Sequence, residues 1–550
     1  MTGSAVISAV ILPAPALAAR NPASDNPEWT YVQARAASMS GQHSRSAELL
    51  AALADANPSD VTINRKAVGE AIGAGNMALA VRLARKLPKK ELSVDARLLL
   101  VADELLRGRS DLAIGMLDGP ADAGSLAFVA PLLTAWNSAE RRDLAGALAV
   151  LNKMPNGSLL APVRDENIAF ILLKFGRAAE AEPFARRAIA GGGNREAGLR
   201  LALADGFIAN GDRPRAKAMI DKLAVEAGPA RQRIDAGKRN GMAIDSSAKA
   251  FGELLLGMAA DLSRMNNRSA PTGMVQVARY ANPHNSNGAV LLAALLDRQG
   301  RPDDALRILD TVPASDPLAA SARDARTRIL IDEQRFGEAM RIAQDAVATG
   351  TATVADYARL GDVLAGAKRY NEAADAYARA IAMAGANGAK DELWPLHLLR
   401  ATALEDANRW SESKEALHRA LALAPEQPLI LNFLGYAMLE RGEQLDVAEA
   451  MIRKASGLAP DEASITDSLG WALFKRGRLP EAIETLQRAA ASDPQQYEIH
   501  EHLGDALYAS GRRYEARFAW QAALISAEDD VAPRIRLKLD TGLTAATAAP

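Results

Sequence analysis

Cysteine is missing from all 550 residues. That excludes disulfide bonds, Cys-ligated zinc and thiol nucleophiles, and along these residues it excludes the acylated cysteine of a lipoprotein. Aromatic residues are scarce at 5%, and neither charge sign dominates, with 65 Lys and Arg against 67 Asp and Glu for a net charge of -2. A nucleic-acid-binding surface normally shows as a basic excess, so nucleic acid is not expected as a partner. Beyond the first residues no run approaches the roughly 20 apolar residues of a membrane-spanning helix. What is plentiful is Ala, within a hydrophobic fraction of 49%, and Gly and Pro recur at intervals instead of clustering. That profile predicts an all-helical chain with many close helix contacts.

The first residues read "MTGSAVISAVILPAPALAARNPASDNPEW". Ala5 to Leu12 form a short apolar run, and Ala16-Leu17-Ala18 follow as the small-x-small pattern read by signal peptidase. A secretory signal over residues 1–18, cleaved after Ala18, is therefore expected, although no Lys or Arg precedes the run. The other reading is an Ala/Pro leader. On the first, the protein is periplasmic, with outer-membrane association left open; on the second, it is cytoplasmic.

The rest of the chain repeats. From Leu469-Gly470, eight residues lead to Gly477, five more to Ala482, then to Leu486, Ala489 and Pro494. One step on, Leu503-Gly504 leads to Gly511, Ala516, Trp520 and Ala523. One step back, Leu434-Gly435 leads to Gly442, Ala448, Ile452, Ala455 and Pro460 after a one-residue insertion. Each unit holds two amphipathic helical segments. A lone hairpin of this kind cannot bury both faces and must stack on its neighbours. Small residues at Gly470, Ala482 and Ala489 let the paired helices approach, and larger apolar residues fill the grooves. Gly477 suits the end of the first helix, and Pro494 stops the second.

The 34-residue period and hairpin layout resemble the tetratricopeptide repeat (TPR) family. The resemblance implies an all-α solenoid, a right-handed superhelix of about fourteen helical hairpins. Units are expected to start near residues 27, 61, 94, 128, 162, 197, 252, 286, 320, 354, 394, 428, 463 and 497. The phase breaks at "RQRIDAGKRNGMAIDSSAKAF", so 27–230 reads as an N-terminal degenerate array, 231–251 as a linker or reaching loop, and 252–530 as a C-terminal array. "GANGAK", Gly385 to Lys390, is a smaller insertion. Residues 531–550 are expected to form a polar capping helix followed by a disordered tail.

No catalytic constellation emerges, and an enzyme is not expected. "GAGNMA", Gly73 to Ala78, matches half of a dinucleotide fingerprint, but no strand precedes it and Gly75 falls at a hairpin turn. "HEH", His500 to His502, places two imidazoles on different faces of a helix, whereas a helical zinc site needs a four-residue spacing. His43, His284, His397 and His418 are scattered over separate units. Asp303-Asp304 and Asp529-Asp530 sit at turns or at the end of the array. Neither a cofactor nor a metal is expected.

What remains is the concave face, lined by the first helix of each unit. Its stripe is expected to carry Asn432, Tyr436 and Leu439, then Asp467, Trp471, Phe474 and Lys475, then Glu501, Asp505 and Tyr508. Aromatics on adjacent helices rimmed by charge suit a protein or peptide groove. For Trp471 and Phe474, packing between repeats is an equal alternative. Grip on a peptide carboxylate is not expected, because Asp467 and Glu501 follow Asn432 where cationic or amide groups would be needed.

Three stretches carry a narrower resemblance: "LNFLGYAMLERGEQLDVAEAMIRKA" from Leu431, "ITDSLGWALFKRGRLPEAIETLQRA" from Ile465 and "IHEHLGDALYASGRRYEARFAWQAAL" from Ile499. They are similar to a group of large bacterial envelope TPR proteins. That group's best-understood members are outer-membrane lipoproteins that bring a periplasmic carboxyl-terminal processing protease together with its substrates, cell-wall hydrolases among them. The resemblance implies a non-catalytic scaffold or adaptor. This sequence departs from the group in having no cysteine for lipid attachment, and the shared motifs are scaffold positions that transfer no binding residue. A structural subunit of a secretion or polysaccharide-export assembly, and a cytoplasmic TPR regulator, stay open as alternatives.

Overall fold

The computed structural model describes residues 26–117, 126–155, 160–221, 223, 228–264, 270–348, 350, 352–386, 393–544 and 547–549. The expected signal sequence, and residues 387–390 of the "GANGAK" insertion, lie outside these. Among the described residues there are thirty α-helices and no strand. No described helix is long and apolar enough to cross a membrane.

The helices come in antiparallel pairs at the expected period. In the C-terminal part the pairs are Val354–Gly366 with Tyr370–Ala386, Leu393–Asp406 with Trp410–Leu423, Pro428–Glu440 with Leu445–Leu458, Ala463–Lys475 with Leu479–Ser492, and Tyr497–Ala509 with Arg513–Ser526. A final helix, Ala532–Thr541, follows them.

The hairpin turn shows why the sequence repeats as it does. After Lys475 the chain turns through Gly477, whose φ is 76°. The Gly477 N–H donates to Phe474 O at 2.8 Å, and Arg478 N–H to Leu473 O at 2.9 Å, which satisfies carbonyls that the helix end leaves open. Arg478 then reaches forward to Glu481, with Nε to Oε1 at 2.8 Å, in the first turn of the second helix. The same Arg-to-Glu bridge recurs at Arg369–Glu372, Arg409–Glu412 and Arg512–Glu515.

Gly470 lies where the two helices of its pair come closest. A Cβ there would stand 2.5 Å from Leu486 Cγ and 2.7 Å from its Cδ2. At the matching Gly435 a Cβ would meet Ile452 Cγ1 at 2.8 Å and Ala448 O at 2.9 Å. Ala448, Ile452, Ala482, Leu486 and Trp520 fill the seams and are fully or almost fully buried.

By contacts the chain divides into two compact units, one ending at Glu333 and the other starting at Gln334. The segment 231–251, expected as the divider, lies inside the first. It carries the end of a helix, Gly228–Asp235, and a stretch held by Asp205, whose carboxylate accepts the N–H groups of Asn240 (2.5 Å) and Met242 (2.6 Å). Ile234, Met242 and Ile244 are buried. The division falls instead within the unit expected near residue 320, between its helices Ala319–Asp332 and Phe336–Ala348.

The expected disordered tail is also different where it is described. Thr547 and Ala549 are buried. The Thr547 hydroxyl accepts the Thr544 N–H at 2.9 Å and bonds back to Gly542 O at 3.2 Å, just after the final helix.

Candidate protein-binding groove

Four successive first helices, Leu393–Asp406, Pro428–Glu440, Ala463–Lys475 and Tyr497–Ala509, line one open groove. Its cavity is about 480 Å³. Leu398, Leu429, Phe433 and Tyr436 supply an apolar and aromatic floor; Asn432, Asp467, Glu498 and His502 supply polar groups. These side chains share a face because they recur at i, i+3, i+4 and i+7 along Pro428–Glu440 and at one repeat's spacing between helices.

Of the expected stripe, Asn432, Tyr436 and Asp467 line the groove. Asn432 Oδ1 is buried and without a hydrogen-bond partner among the described residues, an acceptor left open for a donor brought from outside. Tyr436 is half-buried, and its hydroxyl pKa is pushed up by burial and then by the nearby carboxylates Glu440, Asp467 and Glu498. The phenol therefore stays a neutral donor.

Asp467 is paired. His502 Nδ1 sits 2.9 Å from its Oδ2 and 3.0 Å from its Oδ1. Burial works against a charged His502 ring, but the Asp467 carboxylate, with Asp505 and Glu501 behind it, outweighs that and holds the imidazole pKa above its ordinary value. His500 points elsewhere, its Nε2 at 3.1 Å from Pro494 O, so the two imidazoles of "HEH" diverge.

Of the remaining positions, Trp471, Glu501 and Asp505 are closed off, whereas Phe474, Lys475 and Tyr508 keep exposed surface. Trp471 is fully buried, stacked between Phe474 (centroids 4.8 Å apart) and His502 (4.2 Å), with its Nε1–H donating to Glu440 Oε1 at 2.8 Å. It packs between repeats and offers no open face. Phe474 is half-buried between the two apolar clusters of this region. Lys475 is exposed, its ammonium 4.9 Å from the Trp471 ring centroid and 3.4 Å from Glu440.

Glu501 and Asp505 are buried because the final helix covers them. Lys538, itself fully buried, places Nζ 2.7 Å from Glu501 Oε1 and 2.7 Å from both oxygens of Asp505. Arg534 adds a bond to Glu501 Oε2 at 2.9 Å, and Trp520 Nε1–H donates to Asp505 Oδ1 at 2.9 Å. Tyr508 leans on Trp520, with centroids 5.4 Å apart.

Sequence reasoning missed Leu398, Leu429, Phe433, Glu498 and His502. A signal was available: each lies three or four residues from an expected position on the same helix, or one repeat away from one that does.

Family models of the repeat match three stretches of the chain. A TPR repeat model matches residues 470–511, and tetratricopeptide repeat models match residues 275–329 and 398–463. No curated protein matches the chain. Among solved structures the chain is similar to that of the APC/C hetero-tetramer Cut9-Hcn1, at 14% identity and TM-score 0.38, covering 95% of this chain and 97% of that one. It is similar to yeast Tom70 at 11% identity and TM-score 0.32, covering 94% and 95%. The structure of YrrB, a TPR protein with an unusual peptide-binding site, matches at 16% identity and TM-score 0.28, covering 36% of this chain and 98% of that one. The three matched stretches carry tetratricopeptide repeats, the described residues fold as an all-α array of helical hairpins, and such repeats are in general non-catalytic modules that bind proteins or peptides.

Proposed function

We propose that the protein is a scaffold of the bacterial cell envelope that holds a periplasmic carboxyl-terminal processing protease and its substrates, such as cell-wall hydrolases, within reach of each other. The groove of the C-terminal unit is its partner site. The observation that carries the binding role is the groove itself: an apolar floor of Leu398, Phe433 and Tyr436 beside an unsatisfied Asn432 oxygen. Its carboxylates, Glu498 and the paired Asp467, favour a segment that brings N–H donors or a cation over one that ends in a carboxylate. The envelope setting and the protease are supported by the resemblance of the stretches from Leu431, Ile465 and Ile499 to envelope adaptors.

The test is cross-linked affinity capture of the tagged full chain from its own cells, with envelope and cytoplasm separated. Enrichment of a processing protease from the envelope is expected. The double change Phe433→Ala, Tyr436→Ala should reduce that capture tenfold or more, as loss of interface anchors does, while the helical signal stays constant. Recovery in the cytoplasm with other partners would overturn the envelope role. Undiminished capture by the double variant would overturn the groove.

A further inference from the structure

The expected stripe is increasingly hidden towards its far end. Going along the array, the equivalent positions Tyr436, Trp471 and Asp505 pass from half-buried to fully buried, and Asn432, Asp467 and Glu501 follow the same course. The covering material at the far end is the chain's own last segment. Gly542, with φ 84°, passes so close to Tyr508 that a Cβ there would overlap the phenol. Beyond Thr547, Ala548 O accepts from Arg534 Nη1 at 3.2 Å. The Ala549 N–H then donates to Asp505 Oδ2 at 3.0 Å, and Ala549, 4% exposed, belongs to the same apolar cluster as Trp471 and Leu473.

We propose that residues 547–549 are a built-in occupant of the last stretch of the concave stripe, and that a partner segment takes the place of the Ala549 N–H on Asp505 Oδ2, beside Lys538, only by displacing them. This rests on the reading of the groove as a partner site and adds the kind of segment it takes. The tail is held through backbone groups, one carbonyl on Arg534 and one N–H on Asp505, and its side chains here are methyl-sized or a small hydroxyl. A competing segment has the same chemistry: an extended run of Ala, Ser or Thr whose amides meet a fixed carboxylate and whose side chains clear Trp471 and Tyr508. Holding a chain by its main-chain groups gives affinity, and the space left for side chains gives selection.

Because the natural chain has no cysteine, a single introduced thiol reports on the seat in the full-length protein. Ala549→Cys should react with a maleimide at least tenfold more slowly than Ala422→Cys on an exposed helix face, and adding Arg534→Ala or Gly542→Val should speed it. Equal rates for the two single-thiol proteins would overturn the proposal. In a second measurement a fluorescent peptide, GLTAATAAP, is titrated into the full chain and into a chain ending at Thr541. The shortened chain should bind it at least tenfold more tightly; equal binding, or none to either, would overturn the proposal. A shortened chain that takes the peptide while the full protein captures no partner would sink the groove's function and leave the seat standing.

Discussion

At the scale of single residues, His502 is the group whose protonation the groove depends on. It is buried between Asp467 and Trp471, and Asp467, Asp505 and Glu501 raise its pKa above the ordinary 6.5. A histidine whose folded pKa is raised contributes stability that is fully present below the unfolded value and is lost as pH rises through the folded value. The C-terminal unit should therefore show its highest urea midpoint near about pH 6, and a lower one near about pH 8. His502→Gln should flatten the difference; a slope that survives that change would assign it to another group. The residue scale is also where the sequence was least legible. The helical spacing placed Asn432, Tyr436 and Asp467 on one face, the one that lines the groove. It allowed Trp471 to be packed between repeats, but it gave no sign that Asp505, one repeat on at the same register, would be covered. The cover over Asp505 is Lys538 and Ala549, which lie outside the repeat and have no periodicity to read.

At the scale of the hairpin, the turn residue must take a left-handed conformation, and most units use Gly for it, as at Gly41, Gly75, Gly176, Gly442, Gly477 and Gly511. Four units do not. Arg142, Gln334, Lys368 and Asn408 occupy the same turn with φ of 68°, 56°, 59° and 60°. Repeat spacing located these units through their small helix-contact residues, such as Ala147, Ala373 and Ser413, even where the glycine was missing. The structure shows that the conformation persists without it. A side chain in this conformation costs roughly 1–2 kcal/mol, and less for Asn, which forms local hydrogen bonds there. Lys368→Gly should thus stabilise the C-terminal unit by about 1 kcal/mol and Asn408→Gly by less, while Gly477→Ala should destabilise it by about 1 kcal/mol. Thermal or urea unfolding of the three variants checks the order. Equal effects at Lys368 and Asn408 would mean that neighbouring contacts, not backbone strain, set the balance.

At the scale of the whole chain, a solenoid stabilised by neighbour-to-neighbour contacts unfolds as one cooperative body only where those contacts are continuous. The composition and period announced the solenoid, and the phase break at 231–251 was the visible place to divide it. That segment is instead tied into the first unit by Asp205, while the division falls at Glu333 and Gln334. Nothing in the repeat spacing marked it, because the phase runs on unchanged from Gly300 to Gly361. Two close-packed glycines separate the units experimentally. Gly206 sits where a Cβ would stand 2.7 Å from Leu173 Cδ1, and Gly470 where it would stand 2.5 Å from Leu486 Cγ. Forcing a leucine into either site is an overpacking change of roughly 1–3 kcal/mol. Hydrogen exchange of the full chain should then show Gly206→Leu lowering protection only among residues up to Glu333, and Gly470→Leu only among residues from Gln334 onward. Protection lost throughout the chain in either variant would show that the two units fold as one cooperative body.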